Sequence, residues 1–357
     1  MAASPGSPRL LLVKPKMIGD TLLLTPTLRA LRRELPTARI DVLVRHGTES
    51  ILAGCDVPDH VLRTAPPSSD RQRIDAPPIT RWWRTLRATR YDLAIDLSGN
   101  ERGRFALLAA RARRKVVGPP GPELRSRWFW QNIFRAVTPP DWSRLHEIQR
   151  DARLLEAALE RPLGSLTLSF DRTPGAVAPA GLPARYAVIH PGSRVPAKLW
   201  PAERWEAVAR HLAATCGHVV LSSGPAETEI ALARQIAATL PAGGATVTAG
   251  AWSWSVLAET LRGAAVFVGA DTAAAHLAAA TGVASVVVWG PALEHRWAPW
   301  HDRAWIVAAN EIVPAATARQ RHRQPGDVET RTPGLNQAET VIRAIGLAIG
   351  QAIPAVG

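Results

Sequence analysis

The sequence predicts an α/β protein made of two Rossmann-like domains, each a parallel sheet wound on both faces, the two facing a central cleft. Three observations carry this reading. Short, wholly apolar runs alternate with segments of helical period, as expected for parallel strands covered on both faces. The alternation occurs twice within 357 residues, a length that suits two or three domains. Between the two runs, 171–184 is rich in Pro, Gly and Ala and has no period. The expected partition is an N-terminal domain over 1–172, a linker over 173–184, a C-terminal domain over 185–335, and a terminal segment, 336–357, whose helix is free to pack back on the first domain.

In the first half, 10–13 reads as a strand, Gly19-Asp20 as the loop behind it, and 21–35 as a helix carrying Leu22, Leu23, Leu24, Leu28, Leu31 and Leu35. Further strands are expected at 40–44, 91–97 and 115–117. The last two lead into the turns Ser98-Gly99-Asn100 and Gly118-Pro119-Pro120-Gly121, and a helix follows over 146–158. In the second half, strands at 186–190, 218–222, 246–249, 265–269 and 284–289 alternate with helices at 201–216, 227–240, 253–262 and 272–281, and 337–350 reads as a last helix. Open parallel sheets bind ligands beyond the carboxyl ends of their strands, so chemistry is expected in the loops that follow them.

Composition narrows the partners. The chain holds 43 Lys and Arg against 30 Asp and Glu, a formal charge of +13. Residues 1–180 carry +11 of it and 181–357 only +2, so the N-terminal half is expected to face an anion. Four of the cations are lysines, Lys14, Lys16, Lys115 and Lys198, in a chain that otherwise uses Arg. The clusters 81–90, with Trp82 and Trp83, and 111–115 read either as solvated faces or as a footprint on an anionic surface. Cys55 and Cys216 alone make neither a disulfide framework nor a four-thiolate zinc site, and they suit a reducing cytoplasm. Residues 1–8 lack the basic-then-apolar order of a signal peptide and are expected to fray. The weakly charged stretch 263–293 is interrupted by Gly269, Asp271, His276, Gly282 and Gly290, so it reads as strand, turn, helix and strand, and membrane contact would be peripheral.

Five loops are chemically notable. Gly269-Ala270-Asp271-Thr272-Ala273-Ala274-Ala275-His276 follows a buried strand and opens a small-residue helix, whose free N–H groups and dipole suit an anion. Asp271 there reads equally as an ordinary N-cap. His190-Pro191-Gly192-Ser193 precedes Lys198-Leu199-Trp200-Pro201, where Lys198 and Ser193 can meet a diphosphate or simply be solvated. Glu227, in Ser223-Gly224-Pro225-Ala226-Glu227, can accept from ribose hydroxyls or be a first-turn helix residue. In Lys14-Pro15-Lys16-Met17-Ile18-Gly19-Asp20, Asp20 is a candidate general base on a sugar hydroxyl or an N-cap, and Lys14 and Lys16 are candidate anion ligands. Asn100 and Arg102, after the 91–97 strand, can meet the same acceptor.

Gly-x-Gly-x-x-Gly, Walker and Asp-x-Asp motifs are absent, as is any His/Cys/Glu spacing typical of a metal site. Charge on a departing diphosphate would then fall to Lys198 and a helix N-terminus. No base-stacking aromatics interleave with the cations in a nucleic-acid motif, so nucleic acid is not an expected partner.

Taken in order, these motifs resemble glycosyltransferase family 9, the heptosyltransferases of lipopolysaccharide core assembly, nearly end to end. The resemblance rests on Leu11-Leu12-Val13-Lys14 with Met17-Ile18-Gly19-Asp20 and Thr25-Pro26-Thr27-Leu28-Arg29-Ala30-Leu31, and on the strand from Tyr91 to Leu97 with Ser98-Gly99-Asn100. It continues through His190-Pro191-Gly192-Ser193, Lys198-Leu199-Trp200-Pro201, Gly224-Pro225-Ala226-Glu227, Asp271-Thr272 with His276, and Trp289-Gly290-Pro291. It implies a GT-B fold and metal-independent, inverting transfer from an ADP-activated heptose to an anionic, lipid-linked glycan at the cytoplasmic face of the inner membrane. The donor is then a substrate and no cofactor is expected. Asp20 would be the base, Lys198 and Ser193 would hold the diphosphate, Glu227 the ribose, and Asp271, Thr272, Ala273 and His276 the donor sugar and phosphates. Two departures bear on the donor. The family usually has Gly where Ala273 stands, and a positive φ there would cost an alanine about 1 kcal/mol. The stretch 308–331 lacks the cysteines of many members and reads as an Arg-rich loop. A GT-B enzyme with another nucleotide sugar, or a non-catalytic anion- or nucleic-acid-binding protein, are the alternatives.

Overall fold

The computed structural model describes residues 7–64, 79–122, 124–322 and 332–350. Most of the 1–8 arm, the end of the 308–331 loop and the tail beyond 350 lie outside the described residues, as does the side chain of Trp82. The chain divides into two compact units, Met1–Thr167 and Leu168–Gly357, a boundary a few residues ahead of the expected one.

The first unit is built on β1 (Arg9–Lys14), β2 (Arg39–Val44), β3 (His60–Arg63), β4 (Arg90–Asp96) and β5 (Arg111–Val117), all parallel in the order β3-β2-β1-β4-β5. Leu12 of β1 pairs with Val42 and Ile95, so the leucine-rich run forms the sheet's centre. The helix expected at 21–35 is two, α1 (Ile18–Leu23) and α2 (Thr25–Glu34). Pro26 lacks an N–H for the Leu22 carbonyl, and the Thr25 hydroxyl donates to that oxygen instead at 2.9 Å. The strand expected at 115–117 begins earlier and takes in the Arg-rich cluster 111–115. It forms the sheet's edge, with Arg111, Arg113 and Arg114 exposed, and charge on an edge discourages pairing with another chain. Helices α3 (Ile79–Ala88), α4 (Glu101–Ala109), α5 (Arg127–Ile133) and α6 (Glu147–Leu159) complete the unit. His146 opens α6 with a capping box. Its Nδ1 accepts from the Ile148 N–H, and the Gln149 side chain accepts from its own N–H.

The second unit contains β6 (Ala187–His190), β7 (Val219–Leu221), β8 (Ala245–Val247), β9 (Val266–Ala270), β10 (Ser285–Val288), β11 (Ala304–Ala308) and β12 (Glu311–Pro314). Their order is β12-β11-β10-β9-β6-β7-β8, parallel except for β12. Helices α7 (Ala202–Cys216), α8 (Glu227–Ala237), α9 (Trp254–Gly263), α10 (Ala273–Thr281), α11 (Glu294–Trp297), α12 (Ala315–Ala318) and α13 (Ala338–Ala348) accompany them. Part of the expected 308–331 loop is therefore a β11–β12 hairpin, turned by Ala309 and Asn310 at φ 49° and 65°, followed by α12. The terminal helix α13 buries Ala338, Val341, Ala344 and Ile345 in this unit's own core, against α7, β10 and β11. The buried Asn336 fixes its entry, donating to the Trp289 carbonyl at 3.0 Å and accepting from the Asn310 N–H at 2.7 Å.

Candidate functional site

Strand order reverses direction between β1 and β4 in the first sheet, and between β6 and β9 in the second. Such switch points open a crevice at the strands' carboxyl ends. The ends of these four strands and the segments after them carry the candidate site residues singled out from the sequence, except Glu227, which lies behind β7.

In the first unit, Asp20 is the third residue of α1 and not its cap. Met17 holds the cap position but gives no side-chain capping bond, its sulfur accepting instead from Arg45 Nη1 at 3.1 Å. Lys16 Nζ lies 2.9 Å from Asp20 Oδ1 and 3.1 Å from Glu147 Oε1 of α6. Asp20 is buried to within 8% of its surface, and its Oδ1 has the ammonium beside it but no aligned hydrogen bond. Lys14 departs from expectation. It has no exposed surface, it pairs closely with Asp151, and its Nζ lies 3.4 Å from Glu147 Oε1. A fully buried, doubly compensated ammonium cannot reach an acceptor, so Lys14 ties β1 to α6 instead. Burial pushes the Asp151 carboxyl up to about 7, with Lys14 opposing the rise and Glu147 adding to it.

Asn100 caps α4, accepting from the Gly103 N–H at 2.9 Å, and its amide donates to the Pro15 carbonyl at 3.3 Å. It therefore fixes the Lys16 loop and is buried, whereas Arg102, two residues on, is exposed. Below them lies a pair that the sequence reading missed. Arg104 Nη1 is 2.9 Å from Asp96 Oδ2, and Nη2 donates to the Gly118 carbonyl at 2.6 Å. Burial pushes the Asp96 carboxyl up, against the pull of Arg104 and of the Ser98 hydroxyl and N–H. The only signal in the sequence was Asp96 at the end of a strand; its partner stands eight residues on, inside a helix.

In the second unit, Lys198 and Asp271 meet across the switch point. Nζ lies 2.5 Å from Asp271 Oδ2 and 3.2 Å from the Asp271 carbonyl. An ammonium has three donors, so one remains for a further acceptor. Thr272, not Asp271, is the N-cap of α10; it gives no side-chain cap, and its Oγ1 is buried without a partner. Ala273 takes the first helical position, and it is not among the residues with positive φ, so the strain expected of an alanine there does not arise. His276 lies within the first turn of α10, buried. Ser193 Oγ accepts from the Val195 N–H at 3.1 Å, which leaves its own proton to donate. His190 is buried with Nδ1 2.9 Å from Ser222 Oγ, and burial lowers it to about 4, so it is neutral at pH 7.

Glu227, the first residue of α8, is exposed. The buried carboxylate nearby is Glu229, which accepts from the Gly224 N–H at 3.0 Å. A Cβ on Gly192 would stand 2.9 Å from Glu229, so Glu229 braces the loops after β6 and β7 together. Among the described residues, no three His, Cys, Asp or Glu side chains gather in a metal-ligating group.

Known proteins share this framework. The chain is 27% identical over 316 residues to lipopolysaccharide heptosyltransferase 3 of Escherichia coli, covering 85% of this chain and 90% of that one. A family 9 glycosyltransferase from Veillonella parvula superposes with a TM-score of 0.77 at 17% identity, over 98% of this chain and 100% of that one. A heptosyltransferase of Escherichia coli solved with ADP gives 0.72 at 21% identity, over 95% and 99%. At such identities the solved structures speak for the fold, which is GT-B. The sequence model described as glycosyltransferase family 9 (heptosyltransferase) matches residues 79–325, well over half the chain, and the protein therefore belongs to glycosyltransferase family 9.

Proposed function

We propose that this protein is an inverting heptosyltransferase, moving heptose or a related sugar from an ADP-activated donor to a lipopolysaccharide core or similar anionic, lipid-linked glycan. The observation that carries the reading is the Lys198–Asp271 pair beside the N-terminus of α10. There an ammonium with one spare donor, an uncapped helix start and an unpartnered Thr272 hydroxyl converge on a place for anionic oxygens. Lys198 and Ser193 would neutralise and bind the diphosphate, with the N–H groups of Ala273 and its neighbours adding dipolar stabilisation as the leaving group gains charge. Asp271 holds Lys198 in place, and Thr272 and His276 would line the donor. Glu227, exposed at the head of α8, would accept from the ribose.

In the first unit, Asp20 would take the proton from the acceptor hydroxyl as that oxygen attacks the anomeric carbon and the nucleoside diphosphate departs from the opposite face. Such a displacement inverts the anomeric centre. Lys16, Asn100 and Arg102 would meet or position the acceptor, while Lys14 acts behind them through α6. No cofactor beyond the nucleotide sugar is proposed. No helix among the described residues is long and apolar enough to cross a membrane, and peripheral contact at the cytoplasmic face of the inner membrane is proposed for reaching a lipid-linked acceptor.

The experiment is thermal stabilisation by ADP, UDP, GDP, CDP, TDP and NAD, with and without EDTA, for the native chain, Lys198→Ala and Asp20→Ala. A shift selective for ADP, indifferent to EDTA, lost in Lys198→Ala and kept in Asp20→Ala supports the reading, provided that Asp20→Ala no longer transfers sugar. Selectivity for UDP, GDP or TDP would keep the mechanism and replace the donor. No shift with any nucleotide would favour a non-catalytic anion-binding protein.

A further inference from the structure

Helix α5 presents an unusual surface for a soluble protein. Trp128 is 79% exposed, Phe129 47% and Ile133 39%, and α4 adds Phe105 at 46% and Leu108 at 41%. The patch is built rather than frayed. Trp130, on the opposite side of α5 from Trp128, is buried at 2%. Its ring meets Phe105 and Phe129 edge-on at 4.8 and 4.9 Å and stacks on Phe134 at 6.2 Å. That anchor holds the exposed aromatics in place, so they do not sink into the core.

The surroundings state what the patch is made for. From 124 to 140 there is no acidic residue, while Arg125, Arg127 and Arg135 are all exposed and make no ion pair among the described residues. The carboxylate of Glu101, beside the helix, is engaged by the Ser126 N–H at 3.1 Å. Aromatic side chains ringed by exposed arginines match an anionic bilayer, where Trp and Phe settle at headgroup depth and guanidinium groups meet lipid phosphates. A second copy of the chain fits poorly, because a two-fold contact through this face would set the same arginines against each other.

We propose that the exposed face of α5, with Phe105 and Leu108, is the surface by which this protein docks on an anionic membrane. The proposal deepens the peripheral membrane contact given above by naming the surface, and it rests on that reading only for its purpose. The test is co-sedimentation of the full-length chain with vesicles of phosphatidylcholine alone, or of phosphatidylcholine mixed with phosphatidylglycerol, neither containing any glycolipid. Salt-sensitive binding to the mixed vesicles and little to the neutral ones is expected. Trp128→Ser, and separately the Arg125→Glu/Arg127→Glu pair, should each weaken it about tenfold or more. Because these side chains are exposed, both variants should keep the native unfolding midpoint, the ADP-dependent stabilisation and transfer to a delipidated, soluble acceptor. Those last two readouts judge the enzymatic reading separately. The proposal is overturned by equal binding to both vesicle types, by no binding, by variants that bind like the native chain, or by a native dimer that Trp128→Ser converts to monomer.

Discussion

Lys16 stands between two carboxylates, its ammonium 2.9 Å from Asp20 and 3.1 Å from Glu147. Glu147 in turn lies 3.4 Å from the buried Lys14, which Asp151 holds from the other side. The proposed base is thus the open end of a chain of alternating charges that begins inside α6. Glu147→Gln would leave Lys16 with Asp20 as its one remaining carboxylate in that chain, drawing the ammonium onto the oxygen that has to accept a proton. We expect turnover to fall about tenfold, corresponding to about 1.4 kcal/mol, with the KM for the donor unchanged. Steady-state kinetics decide the matter: a change in donor KM alone would contradict this coupling.

The Asp96–Arg104 pair is fully enclosed, and it carries the Gly118 carbonyl and the Ser98 hydroxyl with it. Removing one partner leaves the other charge buried and unpaired, which costs about 3–5 kcal/mol, whereas replacing both by neutral groups costs much less. Arg104→Met should therefore lower stability by that amount, and Asp96→Asn/Arg104→Met should recover part of it. Urea unfolding of the two single variants and the double variant provides the cycle.

How much of this was legible follows from the range over which each residue finds its partner. Nine of the twelve strands, and with them the loops at both switch points, were readable because each is a local apolar run that breaks at Gly, Pro, Asp or Ser; β3, His60–Arg63, was missed because it is short and largely exposed. Lys14 was misread as an anion ligand because its partner, Asp151, lies 137 residues away, and nothing near Lys14 announces it. The β11–β12 hairpin was read as loop because its turn uses Ala309-Asn310, without the glycine that usually marks two successive positive φ angles. Glu227 and Glu229 are the same residue type two positions apart. Helical phase alone sends the first to solvent and the second under the Gly224 loop, and the exact start of α8 sets that phase.

His190 supplies a pH signature. Burial lowers its folded-state value to about 4, against about 6.5 when unfolded, so between those values the unfolded chain binds the extra proton. Stability from this group is complete above pH 6.5 and is lost as the pH falls toward 4, reaching about 2 kcal/mol by pH 5. His190→Asn should flatten this part of the acid limb in unfolding midpoints measured from pH 7.5 to 5. An unchanged slope would mean that His190 is charged or solvated in the native protein.

Two glycines inside helices should respond in opposite directions to alanine. In a free helix interior, Gly→Ala stabilises by about 0.5–1 kcal/mol through propensity and the unfolded chain's entropy. Gly346 of α13 has open space where a Cβ would sit, so Gly346→Ala should gain that amount. Gly103 of α4 does not: a Cβ there would stand 2.1 Å from Ser98 Oγ and 2.2 Å from Asp96 Oδ1. Both atoms are held by the Arg104 and Asn100 network and cannot retreat without breaking it. Gly103→Ala should therefore destabilise, by about 2 kcal/mol or more, and loosen the loop that supports Lys16 and Asp20. Thermal unfolding of the two variants side by side distinguishes close packing at α4 from simple helix propensity, since propensity alone would raise both midpoints.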